Sequence, residues 1–230
     1  MSAKAKKIQG DQFWDPEVET KSRRDIDALQ RERLRWQLER SYRDAPFYRE
    51  RFDRVNVRPE HLQRLEDIRH FPIVTKQELR DEQAAHPPFG RYTVASPSQW
   101  RELHPSTGTT GVPVNTIWSE RDVEVIADHT ARTMWSFGVR PDDVVQNAFA
   151  YGLWVAGVAV HYACAKIGCF VIPIGAGTTS RQVDYLLNPG STVLLATPSF
   201  AIHIAEHLRE RGLSPESIPL RAGCFGGEPG

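Results

Sequence analysis

Apolar positions along the chain follow two different rhythms, one before about residue 100 and one after it. Between Ser22 and Tyr42 they recur at Ile26, Leu29, Leu34, Leu38 and Tyr42, a near-helical spacing that predicts one long helix. Ser22, with Asp25 three residues on, has the form of an N-cap, and Pro46 ends the run. The residues between are dense in Arg and Glu and read as a solvated face. Thr75-x-x-Glu78 is a capping box that opens a short helix after Pro72. His86-Pro87-Pro88-Phe89-Gly90 breaks the pattern, and a subdomain boundary is expected between there and Leu103.

Helices and strands then alternate. Ser119-x-x-Asp122 opens a helix whose inner stripe is Val123, Ile126, Ala127, Thr130, Met134 and Phe137, closed by Gly138. Short apolar runs at 144–149, 169–174, 192–197 and 221–225 read as strands. Helical stretches near 155–167, from about 181 and at 200–211 separate them. Strands joined by helices of this length imply parallel βαβ units with right-handed crossovers, so the fold class is α/β. The expected division is a helical subdomain over 1–102 and an α/β subdomain over 103–230. Ligands of open parallel sheets bind beyond the strands' carboxyl ends. Those ends carry Phe149-Ala150-Tyr151-Gly152, Gly175-Ala176-Gly177, Thr197-Pro198-Ser199 and Gly226-Gly227-Glu228-Pro229. Any one of these is an ordinary turn, but four together with a hydroxyl-rich loop point to a binding crevice.

Composition narrows the picture without redirecting it. The 230 residues are 40% hydrophobic, and 29 basic side chains balance 29 acidic ones, which gives no reason to expect a nucleic-acid or membrane-surface partner. No apolar run reaches spanning length, and Lys4–Lys7 is not followed by the apolar core of a secretory signal. Cys164, Cys169 and Cys224 are odd in number and lack Cys-x-x-Cys spacing. They read as reduced core thiols of a cytoplasmic protein, with no metal site expected.

The chemistry centres on Ser106-Thr107-Gly108-Thr109-Thr110-Gly111-Val112-Pro113. Glycines let such a loop turn its N–H groups inward, hydroxyls add donors, and the resulting concavity suits phosphate. It is not a P-loop, because no Gly-x4-Gly-Lys-Ser/Thr is present. A flexible surface turn is the plain alternative reading of the composition.

These residues resemble the phosphate-binding signature of the adenylate-forming superfamily. More narrowly, the chain is similar to phenylacetate–CoA ligases and other aryl-CoA ligases over nearly all its length. The matching pieces are Glu19-Thr20, Ala45–Arg49, Phe71-Pro72 with Lys76, Ser106–Gly111, Ala148–Gly157, His161-Tyr162, Gly168–Pro173 and Phe225–Pro229.

The resemblance implies part of the large N-terminal domain of such an enzyme. It further implies ATP-dependent activation of a phenylacetate-like aromatic acid to an acyl-adenylate, then to its CoA thioester, with Mg2+ and often as a homodimer. It assigns Ser106, Thr107, Gly108, Thr109, Thr110 and Gly111 to the ATP phosphates. Gly226, Gly227, Glu228 and Pro229 fall on the adenine-binding segment, and Phe149, Tyr151 and Trp154 on the acid pocket. Core packing is the competing role for these aromatics, and His161 is expected to be a satisfied core histidine.

Two departures stand out. Val112 occupies a position where relatives usually carry Lys, which leaves ATP use weakened or compensated by another cation. The chain also ends before the family's Mg2+-binding acid, ribose-binding Asp, hinge and catalytic Lys, so the 230 residues alone are expected to be inactive. Two alternatives stay open: a ligase for a benzoate-type acid, which the bulk of Trp154 would suit, and a truncated, non-catalytic binding or assembly module.

Overall fold

A computed structural model describes residues 12–106 and 111–228. They form two compact units, Glu17–Glu120 and, with the segment before Glu17, Arg121 onward. A single turn, α1 (Pro16–Glu19), leads into the long helix α2 (Arg23–Asp44). The Ser22 hydroxyl accepts from the Asp25 N–H, as the spacing predicts. Pro46 starts α3 (Pro46–Arg54) in the first-turn position that needs no N–H donor. Leu38, Phe52, Val57, Leu62 and Phe71 bury a small core between these helices. The charged residues of α2 are mostly exposed and pair along the helix, as Arg35 does with Glu39.

Helix α4 (Lys76–Ala85) opens with the expected capping box, Thr75 and Glu78 each bonding the other's backbone N–H. Beyond it lies a hairpin that periodicity did not indicate. Strand β1 (Trp100–Pro105) runs antiparallel to β2 (Asn115–Ser119), with a bulge between Trp100 and Glu102. Both strands are short, polar and largely half-exposed, which is why no apolar alternation announces them.

The second unit is a doubly wound sheet. Helix α5 (Glu120–Ser136) precedes β3 (Val144–Asn147), α6 (Val155–Ile167), β4 (Phe170–Ile172), α7 (Thr179–Leu187), β5 (Val193–Ala196), α8 (Pro198–Glu210) and β6 (Ala222–Phe225). All four strands are parallel, in the order β4-β3-β5-β6. On one face Val145, Val193 and Leu195 pack with Ala131 and Met134 of α5 and Ala163, Cys164 and Ile167 of α6. On the other, Leu194 and Ala196 pack with Val183 and Leu186 of α7 and Ile204 and Leu208 of α8. The buried stripe of α5 is Ala127, Ala131 and Met134; Phe137, expected within it, lies past the helix end and is 55% exposed.

Each strand is shorter than its apolar run, and β3 shows why. The Asn147 Oδ1 accepts from the Phe149 N–H and turns the backbone out of the sheet two residues early. Gly168, at φ 99°, caps α6 in the left-handed conformation that the sequence anticipates. Cys164 and Cys224 are buried, Cys169 is half-buried, and none forms a disulfide. Among the described residues, no helix is long and apolar enough to cross a membrane.

Candidate functional site

Because β3, β4, β5 and β6 are parallel, their terminal turns share one edge of the sheet. The chain goes from β3 to β4 on one side and then to β5 on the other, so the strand order reverses between β3 and β5. Ligand crevices open at such reversals.

Asn147 builds the first turn. Its side chain is fully buried, and its Nδ2 donates to the Tyr151 hydroxyl at 2.7 Å and to the Gly157 carbonyl at 2.8 Å. Helix α6 therefore begins flush against the turn. A Cβ on Gly157 would stand 2.3 Å from the Ala150 oxygen, so only glycine fits there. The Tyr151 hydroxyl also meets His161 Nδ1 at 3.2 Å, which ties the turn to the middle of the helix. Burial pushes the Tyr151 phenol up to about 12, although the bond from Asn147 works the other way. His161 is half-buried and has a partner, as expected, but that partner belongs to the turn.

A second buried polar set fixes the turn after β4. Gln146, Gln182 and Ser191 are fully buried. Gln146 Nε2 donates to the Gln182 Oε1 at 2.6 Å, Ser191 Oγ donates to the Gln146 Oε1 at 2.7 Å, and Gln182 Nε2 donates to the Gly175 carbonyl at 2.8 Å. The Gly175 N–H in turn donates to the Asn147 carbonyl at 2.9 Å, which draws the β3 and β4 turns together. Isolated polar residues such as Gln146, Gln182 and Ser191 give no periodic signal, so the sequence does not single them out.

The β5 and β6 turns are joined by a carboxylate. Glu228 accepts from the Ser199 N–H at 3.0 Å and the Ser199 hydroxyl at 2.7 Å, at the first turn of α8. Ser199 and Thr197 donors hold the Glu228 carboxyl below its ordinary range. Gly227 adopts φ 90°, and a Cβ there would sit 3.4 Å from the Trp154 ring and 3.6 Å from the Thr197 methyl. The turn after β3 and the turn after β6 thus approach each other across the strand-order reversal. Trp154 is 38% exposed and Tyr151 36%, whereas Phe149 is 8% exposed and belongs to the core, its ring edge-on to Trp154.

Of the residues assigned to phosphate, Thr107, Gly108, Thr109 and Thr110 lie outside the described residues, as does Pro229 of the adenine segment. Of the two that are described, Ser106 fixes the base of the loop. The Ser106 N–H donates to the Val114 carbonyl at 2.8 Å, and the Ser106 hydroxyl accepts from the Val114 N–H at 3.0 Å. Gly111, at φ 138°, is exposed. Helix α4 holds the returning strand: Arg80 Nε donates to the Val112 carbonyl at 2.9 Å, and Gln83 Nε2 donates to the Pro113 carbonyl at 3.2 Å. Gln83 Oε1 accepts from the Asn115 N–H at 2.9 Å.

No protein-family model matches the chain. It is 37% identical to the phenylacetate-coenzyme A ligase of Pseudomonas putida over 89% of its own length and 46% of that protein. It is 36% identical to the phenylacetate-coenzyme A ligase of Escherichia coli K12, over 92% of its own length and 48% of the relative. A solved structure of 2-hydroxyisobutyryl-CoA ligase, in complex with 2-HIB-AMP and CoA in the thioesterification state, superimposes with a TM-score of 0.89. It is 34% identical, and the match covers 95% of this chain and 47% of that one. The chain spans about half the length of the curated relatives it matches.

Proposed function

Since the chain is a homologue of phenylacetate–coenzyme A ligases that spans about half of each, we propose that it forms the acid- and nucleotide-binding part of an AMP-forming acid–thiol ligase. The acid would be aromatic and phenylacetate-like. ATP and the acid give an acyl-adenylate and pyrophosphate, and the CoA thiol then displaces AMP to give the thioester. Residues 1–102 would serve as the helical scaffold, and 103–230 as the nucleotide- and acid-binding region.

One observation carries this reading: the turns after β3 and β6 meet, Trp154 against Gly227, at the point where the strand order reverses. An acyl-adenylate needs its acid and its nucleobase held side by side, and that contact lies between the residues assigned to each. Trp154 and Tyr151 present exposed aromatic surface for the acid, with Phe149 backing Trp154 from the core. Gly226 and Gly227 offer flat backbone to adenine, and Glu228 fixes their turn to α8 through Ser199.

The carboxylate itself attacks the α-phosphorus, so the protein's task is to orient two anions and screen their repulsion. Ser106 to Gly111 are proposed to supply N–H and hydroxyl donors to the β- and γ-phosphates. Mg2+ would neutralise phosphate charge; among the described residues no group of three or more His, Cys, Asp or Glu side chains is gathered to hold it, and its ligands are proposed to lie elsewhere.

Acid-dependent exchange of pyrophosphate into ATP, assayed on the full-length protein that carries this span, tests the reading. Exchange that requires phenylacetate supports it; exchange with benzoates alone reassigns the acid. A protein that binds neither ATP nor any aryl acid is instead a non-catalytic module.

A further inference from the structure

We propose that Cys164 and Cys169 are a peroxide-reactive thiol pair that closes reversibly to a disulfide at the C-terminal end of α6. Neither residue takes part in the proposed adenylation, so the two readings stand or fall separately.

The helix ending brings the pair together. The Cys169 N–H donates to the Cys164 carbonyl at 3.0 Å, and the Gly168 N–H donates to the Ala165 carbonyl at 3.1 Å. With Gly168 left-handed at φ 99°, these two bonds make a Schellman motif, whose outer residues pack side chain against side chain. Those outer residues are the two cysteines. A backbone bond between them keeps their Cα atoms within the roughly 7 Å that a disulfide can bridge. The thiols are also linked: Cys164 Sγ–H donates to the Cys169 sulfur, and Cys169 Sγ–H donates to the Arg140 carbonyl at 3.2 Å.

Surroundings divide the roles. Cys169 is half-buried, whereas Cys164 and Cys224 are buried. The hydrogen bond from Cys164 draws the Cys169 thiol below its ordinary range, against burial and the Asp143 carboxylate. The same bond, with burial, pushes Cys164 up. Cys169 is therefore the sulfur that meets an oxidant, and Cys164 the one that resolves the product. Cys224 shares the core cluster but comes from β6, whose backbone pairs with β5.

The oxidant is a small hydroperoxide, hydrogen peroxide being the simplest. The Cys169 thiolate attacks a peroxide oxygen, the O–O bond breaks, and hydroxide leaves to take up the proton that the thiol released. The Cys164 sulfur then attacks the Cys169 sulfur, the S–O bond breaks, and the Cys164 proton departs with the hydroxyl as water. Two thiols are oxidised to one disulfide, and one peroxide is reduced to two waters. Closing the pair also spares Cys169 the further, irreversible steps of oxidation.

The full-length protein is treated with hydrogen peroxide, denatured and alkylated, and its peptides are mapped by mass. Of the three cysteines in this span, Cys164 and Cys169 should escape alkylation, joined in a peptide lighter by two hydrogens, and dithiothreitol should return both. Cys169→Ser should leave Cys164 and Cys224 fully alkylated. Cys164→Ser should leave a Cys169 sulfenic acid that dimedone traps, because its resolving partner is gone. Cys224→Ser should oxidise as the parent protein does. Mapping the parent protein needs no variant, so a substitution that disturbs the core leaves the proposal testable. Full alkylation of Cys164 and Cys169 after peroxide overturns it, as does a cross-link from either to another cysteine, or sulfinic acid at Cys169 in place of the disulfide.

Discussion

At the scale of single residues, the strongest local constraint is a missing side chain. Helix propensity favours alanine over glycine by about 1 kcal/mol, so Gly157→Ala in α6 looks stabilising on that scale. The Ala150 carbonyl, 2.3 Å from the added carbon, reverses the sign. We expect a loss of about 1–3 kcal/mol, because a backbone oxygen yields less readily than a side chain. Chemical denaturation of the two proteins decides between propensity and packing. Asn147→Ala removes three bonds from a buried amide and should cost roughly 2–4 kcal/mol. Tyr151→Phe leaves the amide its bond to Gly157 and should cost less.

Tyr151 also supplies a pH signature. A phenol pushed up to about 12 favours its neutral form in the fold, so its contribution is complete below the ordinary 10.0 and is lost as pH rises toward 12. Ultraviolet difference titration should show tyrosine ionisation delayed in the folded protein, for Tyr42, Tyr48 and Tyr92 as well as Tyr151, and the late amplitude should fall by one residue in Tyr151→Phe. The sequence marks Tyr151 by its place at a strand end and Trp154 by the resemblance to aryl-CoA ligases. Gln146 and Gln182 carry no such mark, because a buried amide is identified by its partners, and a partner 45 residues away, as Ser191 is from Gln146, leaves no local pattern.

Among elements, the opposite edge of the sheet depends on one carboxylate. Asp143, 4% exposed just ahead of β3, accepts from the Arg140 N–H at 2.7 Å, the Thr192 hydroxyl at 2.7 Å and Arg221 Nε at 2.9 Å. It therefore ties the starts of β3, β5 and β6 together. Burial by itself would raise its pKa; the Arg221 guanidinium, the Arg140 N–H and the Thr192 hydroxyl outweigh burial and hold it below 3.8. A carboxyl depressed in the fold adds stability that is complete above its unfolded value and disappears as pH falls through the folded one. Asp143→Asn should therefore lower stability at neutral pH by about 2–4 kcal/mol. It should also flatten the decline of stability below about pH 4, where the parent carboxyl protonates.

The helices of this unit were legible because glycine, proline and capping residues punctuate them, as Gly168 does for α6. The β1–β2 hairpin was not, since the more buried positions of β1 include the polar Glu102 and His104, so burial there does not appear as an apolar alternation. Strand ends were overestimated where a side chain turns the backbone, since Asn147 stops β3 within an apolar run.

For the molecule as a whole, the question is how much of an adenylation reaction this span supports. Its sheet supplies turns that bring the proposed acid and adenine segments together, and its hairpin supplies the base of the proposed phosphate loop. The curated relatives are about twice as long. Binding and catalysis make different demands on that difference. An exposed turn can bind a nucleobase by contact on one side, but in-line attack by one anion on another needs water excluded and charge compensated on all sides. Trp154 at 38% and Tyr151 at 36% exposure leave the proposed acid segment open to solvent within this span. We therefore expect the 230-residue polypeptide to bind ATP measurably yet to exchange pyrophosphate at less than about a hundredth of the rate of a full-length relative, because closure and the rest of the catalytic set complete the site. Supplying the remaining half of a relative as a separate polypeptide should raise that rate if the two associate. Exchange at the full rate by the 230 residues alone would show that the groups gathered at these strand ends suffice for the chemistry.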